Sequence, residues 1–168
     1  EGCCNAYGLK LDYAFTQPVG KDAKSYSGKF GVELFLDYIA LIHDCAKAAK
    51  PEAIISASPC HPLFTNYVDH ARLHDYYPDL RRCYEEFTFR REIYDIAMPG
   101  VLFDTDGSAY NTRRDTMRYM RLAPKIGIPD LYCNTEFPSL TLSDDDWESV
   151  ADIWREYGEL IDRTVGKE

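Results

Sequence analysis

Lys10 and Asp12, in the stretch Gly8-Leu9-Lys10-Leu11-Asp12-Tyr13, are the residues best placed for chemistry in this chain. Leu9 and Leu11 alternate with them at the period of two that a strand with distinct faces shows, so Lys10 and Asp12 are expected on one side. At the C-terminal end of a strand in a β/α barrel, a carboxylate points into the active-site mouth. The lysine adds positive charge on the same face and favours an ionised carboxylate, the form a nucleophile needs. Downstream come Arg72, His74 and Asp75, then Asp104 and Asp106. Two carboxylates from different strands, facing each other across a pocket, suffice for glycoside hydrolysis. A retaining enzyme holds them about 5–5.5 Å apart, one as nucleophile and one as acid/base. Asp12 and Asp75 are the candidates. Arg72 works against an acid role for its neighbour Asp75, and is also read as a contact to a substrate hydroxyl.

The elements that must position these residues alternate between strand and helix. Gly8–Phe15 reads as a strand. Phe30–Lys50 reads as a helix with an apolar stripe of Phe30, Leu34, Tyr38, Leu41 and Cys45, ended by Pro51. Glu52–Ser58 has the short apolar run of a buried parallel strand, and Asp69–His74 is a weaker strand. Asp79–Ala97 is a helix with Asp79 as N-cap and Pro99-Gly100 beyond its end. Gly100–Phe103 is a strand, Thr112–Ala123 a helix and Asp130–Asn134 a strand. The last helix opens at Ser143 with three aspartates in its first turn, where the macrodipole favours anions, and runs to Asp162. A short element is possible between Pro59 and Tyr67. This order implies α/β architecture with parallel β/α units, either a small open sheet or half of an eight-fold barrel.

Polar side chains gather at the strand exits: Ser56, Ser58, Cys60 and His61 after the second, Asn134 and Glu136 after the fifth, besides those already named. Ligands bind at this edge in open sheets and barrels alike. Helix capping explains Asp79 and Ser143, but not Asp12, whose next helix starts well downstream.

Composition narrows the classes. The chain has 168 residues, 45% apolar and 14% aromatic, enough for a sizeable core. Its net charge of −9 and the lack of a basic run argue against nucleic acid or an anionic membrane as partner. No apolar stretch is long enough to span a bilayer, and Glu1-Gly2-Cys3-Cys4 does not read as a signal peptide. Cys3, Cys4, Cys45, Cys60, Cys83 and Cys133 form no CxxC pair, and most are read as reduced core thiols, which mildly favours a reducing compartment. There is no dinucleotide or phosphate-binding glycine motif and no Gly-x-Ser-x-Gly elbow. No cofactor or metal is expected; Asp104 and Asp106 read as contacts to sugar hydroxyls or helix ends. No repeat or linker divides the chain, so residues 1–168 are taken as one domain.

The motifs together resemble the α-galactosidase-like (melibiase-type, clan D) retaining α-glycosidases. Gly-Leu-Lys-Leu-Asp-Tyr resembles that family's strand-four segment, whose Lys-x-Asp tip supplies the nucleophile. Arg72-Leu-His-Asp75 resembles the strand-six end that supplies the acid/base, one residue tighter than in animal-type members. Pro99-Gly-Val-Leu-Phe-Asp-Thr-Asp106 is similar to the strand-seven segment, with Phe103 in place of the tryptophan common near its tip. The resemblance implies strands four to eight of a (β/α)8 TIM barrel, a carbohydrate substrate, catalytic Asp12 and Asp75, and substrate contacts from Lys10, Arg72, His74, Asp104 and Asp106. It also implies a missing N-terminal half-barrel as partner, without which this piece would not turn over. Two alternatives remain open: a non-catalytic α/β carbohydrate-binding or scaffold domain, and an acid–base isomerase barrel.

Overall fold

A computed structural model of the chain describes residues 5–12, 14–16, 20–58, 61–73, 80–105, 112–131 and 141–165. It is an α/β structure around a four-stranded parallel sheet in the order β1-β2-β3-β4: β1 Gly8–Leu11, β2 Ile54–Ala57, β3 His70–Arg72 and β4 Leu102–Asp104. The helices are α1 Gly31–Ala49, α2 Leu80–Ala97, α3 Arg113–Leu122 and α4 Asp144–Val165, with short 3-10 turns at Ala14–Thr16, Pro62–Phe64 and Ala123–Lys125. The chain divides into two compact units, Glu1–Arg72 with Tyr94–Leu102, and Leu73–Ile93 with Phe103–Glu168.

In the first unit α1 crosses over from β1 to β2. It buries Phe35 and Ile39, and Phe35 meets Phe64 edge to face at 5.2 Å. The stripe expected from the sequence lies one position round the helix: Phe30 and Leu41 are 57% and 64% exposed and Cys45 is exposed. Apolar residues cover most of α1's circumference, so periodicity alone could not choose the side that meets the sheet. Among the described residues between β2 and β3 a 3-10 turn, Pro62–Phe64, forms, and the His61 ring nitrogen Nδ1 caps it by accepting from the Leu63 N–H. Asp69 ties the pieces together. Its carboxylate accepts from the Ile55 N–H at 2.8 Å and from Lys47 at 3.1 Å, while Lys47 also donates to the Ala53 carbonyl. Burial disfavours its charge, but the Ile55 N–H and Lys47 outweigh that and hold the carboxyl below its ordinary value.

β1 departs from the expected two-faced pattern. Leu9 is 46% exposed and Lys10 is exposed; β1 is an edge strand of the sheet and pairs with β2. β4 joins β3 through Leu102 N–H to the Asp69 carbonyl and Leu73 N–H to the Asp104 carbonyl.

The second unit packs Leu73, Cys83, Phe87, Phe103, Tyr119, Met120 and Val150 into its core. The buried Tyr119 hydroxyl donates to the Thr105 carbonyl, and Arg91 covers the Phe103 ring while donating to the Ile126 carbonyl. Pairing with β4 comes earlier than the sequence suggests, at Ile128 against Asp104; Asp130 and Leu131 are irregular and residues 132–134 lie outside the described region. α4 opens with a reciprocal cap. The Ser143 N–H donates to Asp146, the Asp146 N–H to the Ser143 hydroxyl, and Arg113 pairs with the same carboxylate. The Arg113 contact, opposed by burial and aided by Ser143, holds the Asp146 carboxyl at about 2. A depressed carboxyl stabilises the fold fully above its unfolded value of 3.8, and the contribution is lost as pH falls from there toward about 2. Thermal midpoints followed from about pH 5 to about pH 2 should therefore fall less steeply in Asp146→Asn than in the parent chain. Equal slopes would dismiss Asp146 as a source of acid lability.

Candidate functional site

The C-terminal edge of β1, β2 and β3 carries the polar cluster of the first unit. Lys10, Ser56 and His70 are register partners across the three strands. One step on, Leu11, Ala57 and Ala71 form the next row, with Ala57 and Ala71 buried on the opposite face. The following row holds Asp12, Ser58 and Arg72, and the Ser58 N–H extends the ladder by donating to the Leu11 carbonyl at 3.3 Å. Because side chains alternate along a strand, both polar rows project from one face and the apolar row from the other.

Across the upper row the Arg72 guanidinium donates to the Asp12 carboxylate, Nη1 to Oδ1, at 2.7 Å. Arg72 is buried, its side chain 7% exposed, whereas Asp12 is 51% exposed and stands at the solvent edge. A charge-assisted bond of this length fixes the carboxylate's direction. Asp75, beside which the sequence sets Arg72, lies outside the described residues; among the described residues Arg72 pairs with Asp12. Below the pair, burial pushes the His70 imidazole under its ordinary value, with Asp69 opposing, so the ring favours its neutral form. The hydroxyls of Ser56 and Ser58 are buried and have no hydrogen-bond partner among the described residues.

Of the other sequence candidates, Asp104 ends β4, half-buried, in the second unit. His74, Asp75 and Asp106 lie outside the described residues, as do Cys60, Asn134 and Glu136. His70, which the sequence reading did not single out, shares the face of Lys10 and Asp12. Only the β2–β3 register, unknowable from composition, places it there. Among the described residues no three His, Cys, Asp or Glu side chains gather as a metal site, and no helix is long and apolar enough to cross a membrane. Of the described cysteines, Cys83 is buried as expected of a core thiol and Cys45 is exposed.

No family model, curated protein or solved structure matches this chain. What it does must be argued from its own residues.

Proposed function

We propose that this chain forms strands four to eight of a retaining α-glycosidase barrel of the α-galactosidase-like kind. The observation that carries the reading is Asp12, a carboxylate at a strand exit, bridged to the buried Arg72 two strands away and sharing a face with Lys10. The strand order supports it. Doubly wound sheets reverse direction at a switch point, whereas β1 to β4 follow one another without reversal, as successive barrel strands do.

In this mechanism Asp12 attacks the anomeric carbon and forms a glycosyl ester as the leaving oxygen departs. Asp75 gives that oxygen its proton, then takes one from the water that hydrolyses the ester. Arg72 and Lys10 keep positive charge beside the reacting carboxylate, and Asp104, Asp106 and His74 contact the sugar. Strands one to three belong to the N-terminal half-barrel, which would pair along the outer edge of β1.

A 2-deoxy-2-fluoro glycosyl fluoride forms the ester quickly and releases it slowly. Incubated with the complete protein, it should add one sugar mass to the peptide containing Asp12. The second reading, carbohydrate binding without chemistry, is favoured by the ion pair itself, which occupies the carboxylate. No mass increase, with sugar binding retained, would select that reading over hydrolysis.

A further inference from the structure

Ser58 holds the middle of the row whose ends are Asp12 and Arg72. Two strand spacings, roughly 10 Å, separate the backbones of β1 and β3, so the ion pair reaches across β2 at the level of Ser58. Ser58 is 1% exposed and its hydroxyl has no hydrogen-bond partner among the described residues. A buried donor with no acceptor is unfavourable, and the ladder sets Asp12, whose carboxylate Arg72 holds, beside Ser58 in the same row. Arg72 Nη1 is satisfied by Asp12, while the buried Arg72 Nε, like the Ser58 hydroxyl, has no hydrogen-bond partner among the described residues.

We infer that Asp12 has a second position, and that Ser58 is the positioning residue that defines it. When the oxygen atoms of an incoming ligand draw the Arg72 guanidinium away, the Ser58 hydroxyl donates to the Asp12 carboxylate. One guanidinium–carboxylate bond is exchanged for a hydroxyl–carboxylate bond and a guanidinium–ligand bond. The orphaned hydroxyl is thereby satisfied only when ligand is present, and it adds a hydrogen bond to the carboxylate after the Arg72 guanidinium has moved. This rests on the reading of Asp12 as the nucleophile, but the exchange itself is tested without any sugar.

The test is a cycle of thermal midpoints on the full chain: parent, Ser58→Ala, Arg72→Met and the double variant. With Arg72 present, Ser58→Ala should leave the midpoint unchanged or raise it, because it removes an unsatisfied group. With Arg72→Met the same replacement should lower the midpoint by roughly 2–4 °C, and Ser58→Thr, which keeps the hydroxyl, should not. The same sign in both backgrounds overturns the inference. Should Arg72→Met fail to fold, Arg72→Gln, polar but uncharged, takes its place. In the complete protein, Ser58→Ala should slow labelling by the fluoro sugar tenfold or more at an unchanged half-saturating concentration, with recovery in Ser58→Thr. Undiminished labelling in Ser58→Ala also overturns it. A parent protein that takes no label refutes the glycosidase reading, and the thermal cycle still decides the exchange.

Discussion

Asp12→Gly in the complete protein should lower hydrolysis by a factor on the order of 10⁴ to 10⁶, the loss that follows removal of a group that forms the covalent bond. Glycine leaves space where the carboxylate stood, and Arg72, which donates to that carboxylate at 2.7 Å, remains beside it. Azide is small and anionic enough to enter this space and attack the anomeric carbon from the side Asp12 used. The product should be a glycosyl azide of inverted configuration, formed far faster than the variant hydrolyses the same substrate. Kinetics with an activated aryl glycoside, and product analysis with and without azide, give the answer. Hydrolysis within tenfold of the parent would remove Asp12 from the mechanism. Asp12→Asn should be as inactive as the glycine variant, yet azide should not rescue it, because the amide fills the space.

Gly8→Ala carries the largest expected effect on folding. A Cβ at Gly8 would lie 2.0 Å from the Ile54 carbonyl oxygen and 2.8 Å from its carbon. Both are backbone atoms of the paired strand, so no side-chain rotation relieves the clash. β1 must lift away from β2 where Ile54 N–H donates to the Tyr7 carbonyl. Overpacking of this kind costs about 3 kcal/mol, or roughly 6–12 °C in thermal midpoint for a chain this size. Asp12 sits four residues along, just past the end of β1, so the displacement should also lengthen its contact with Arg72. Thermal melts test the first effect. A midpoint within about 2 °C of the parent would mean that the strands can separate at Gly8 at little cost.

The elements were legible in the sequence wherever two signals coincided. α1 was readable from its apolar density and Pro51, and α3 from Thr112, whose hydroxyl accepts from the Asp115 N–H. α4 was readable from Ser143 and the aspartates after it, one of which closes the cap. Strand lengths were overestimated: β3 is only His70–Arg72, and β4 is Leu102–Asp104. Apolar runs mark where a strand can lie, but pairing sets where it ends. The face of α1 was misread because Phe35 and Ile39 are no more apolar than Leu34 and Leu41; the position of Phe64 settles it. Within the site, the common face of Lys10 and Asp12 follows from alternation alone. The Arg72–Asp12 pair does not, because it depends on two register matches between strands far apart in sequence. The brace of Lys47, Asp69 and Ile55 was invisible for the same reason.

The two units are interleaved along the chain, since Leu73–Ile93 of one is inserted between Arg72 and Tyr94 of the other. A nascent polypeptide therefore cannot finish the Asp12 unit when Arg72 emerges from the ribosome. The Leu102 N–H that bonds to the Asp69 carbonyl is synthesised only after the whole of α2. No contiguous stretch holds one whole unit free of the other: a segment spanning the first carries Leu73–Ile93 of the second, and one spanning the second carries Tyr94–Leu102 of the first.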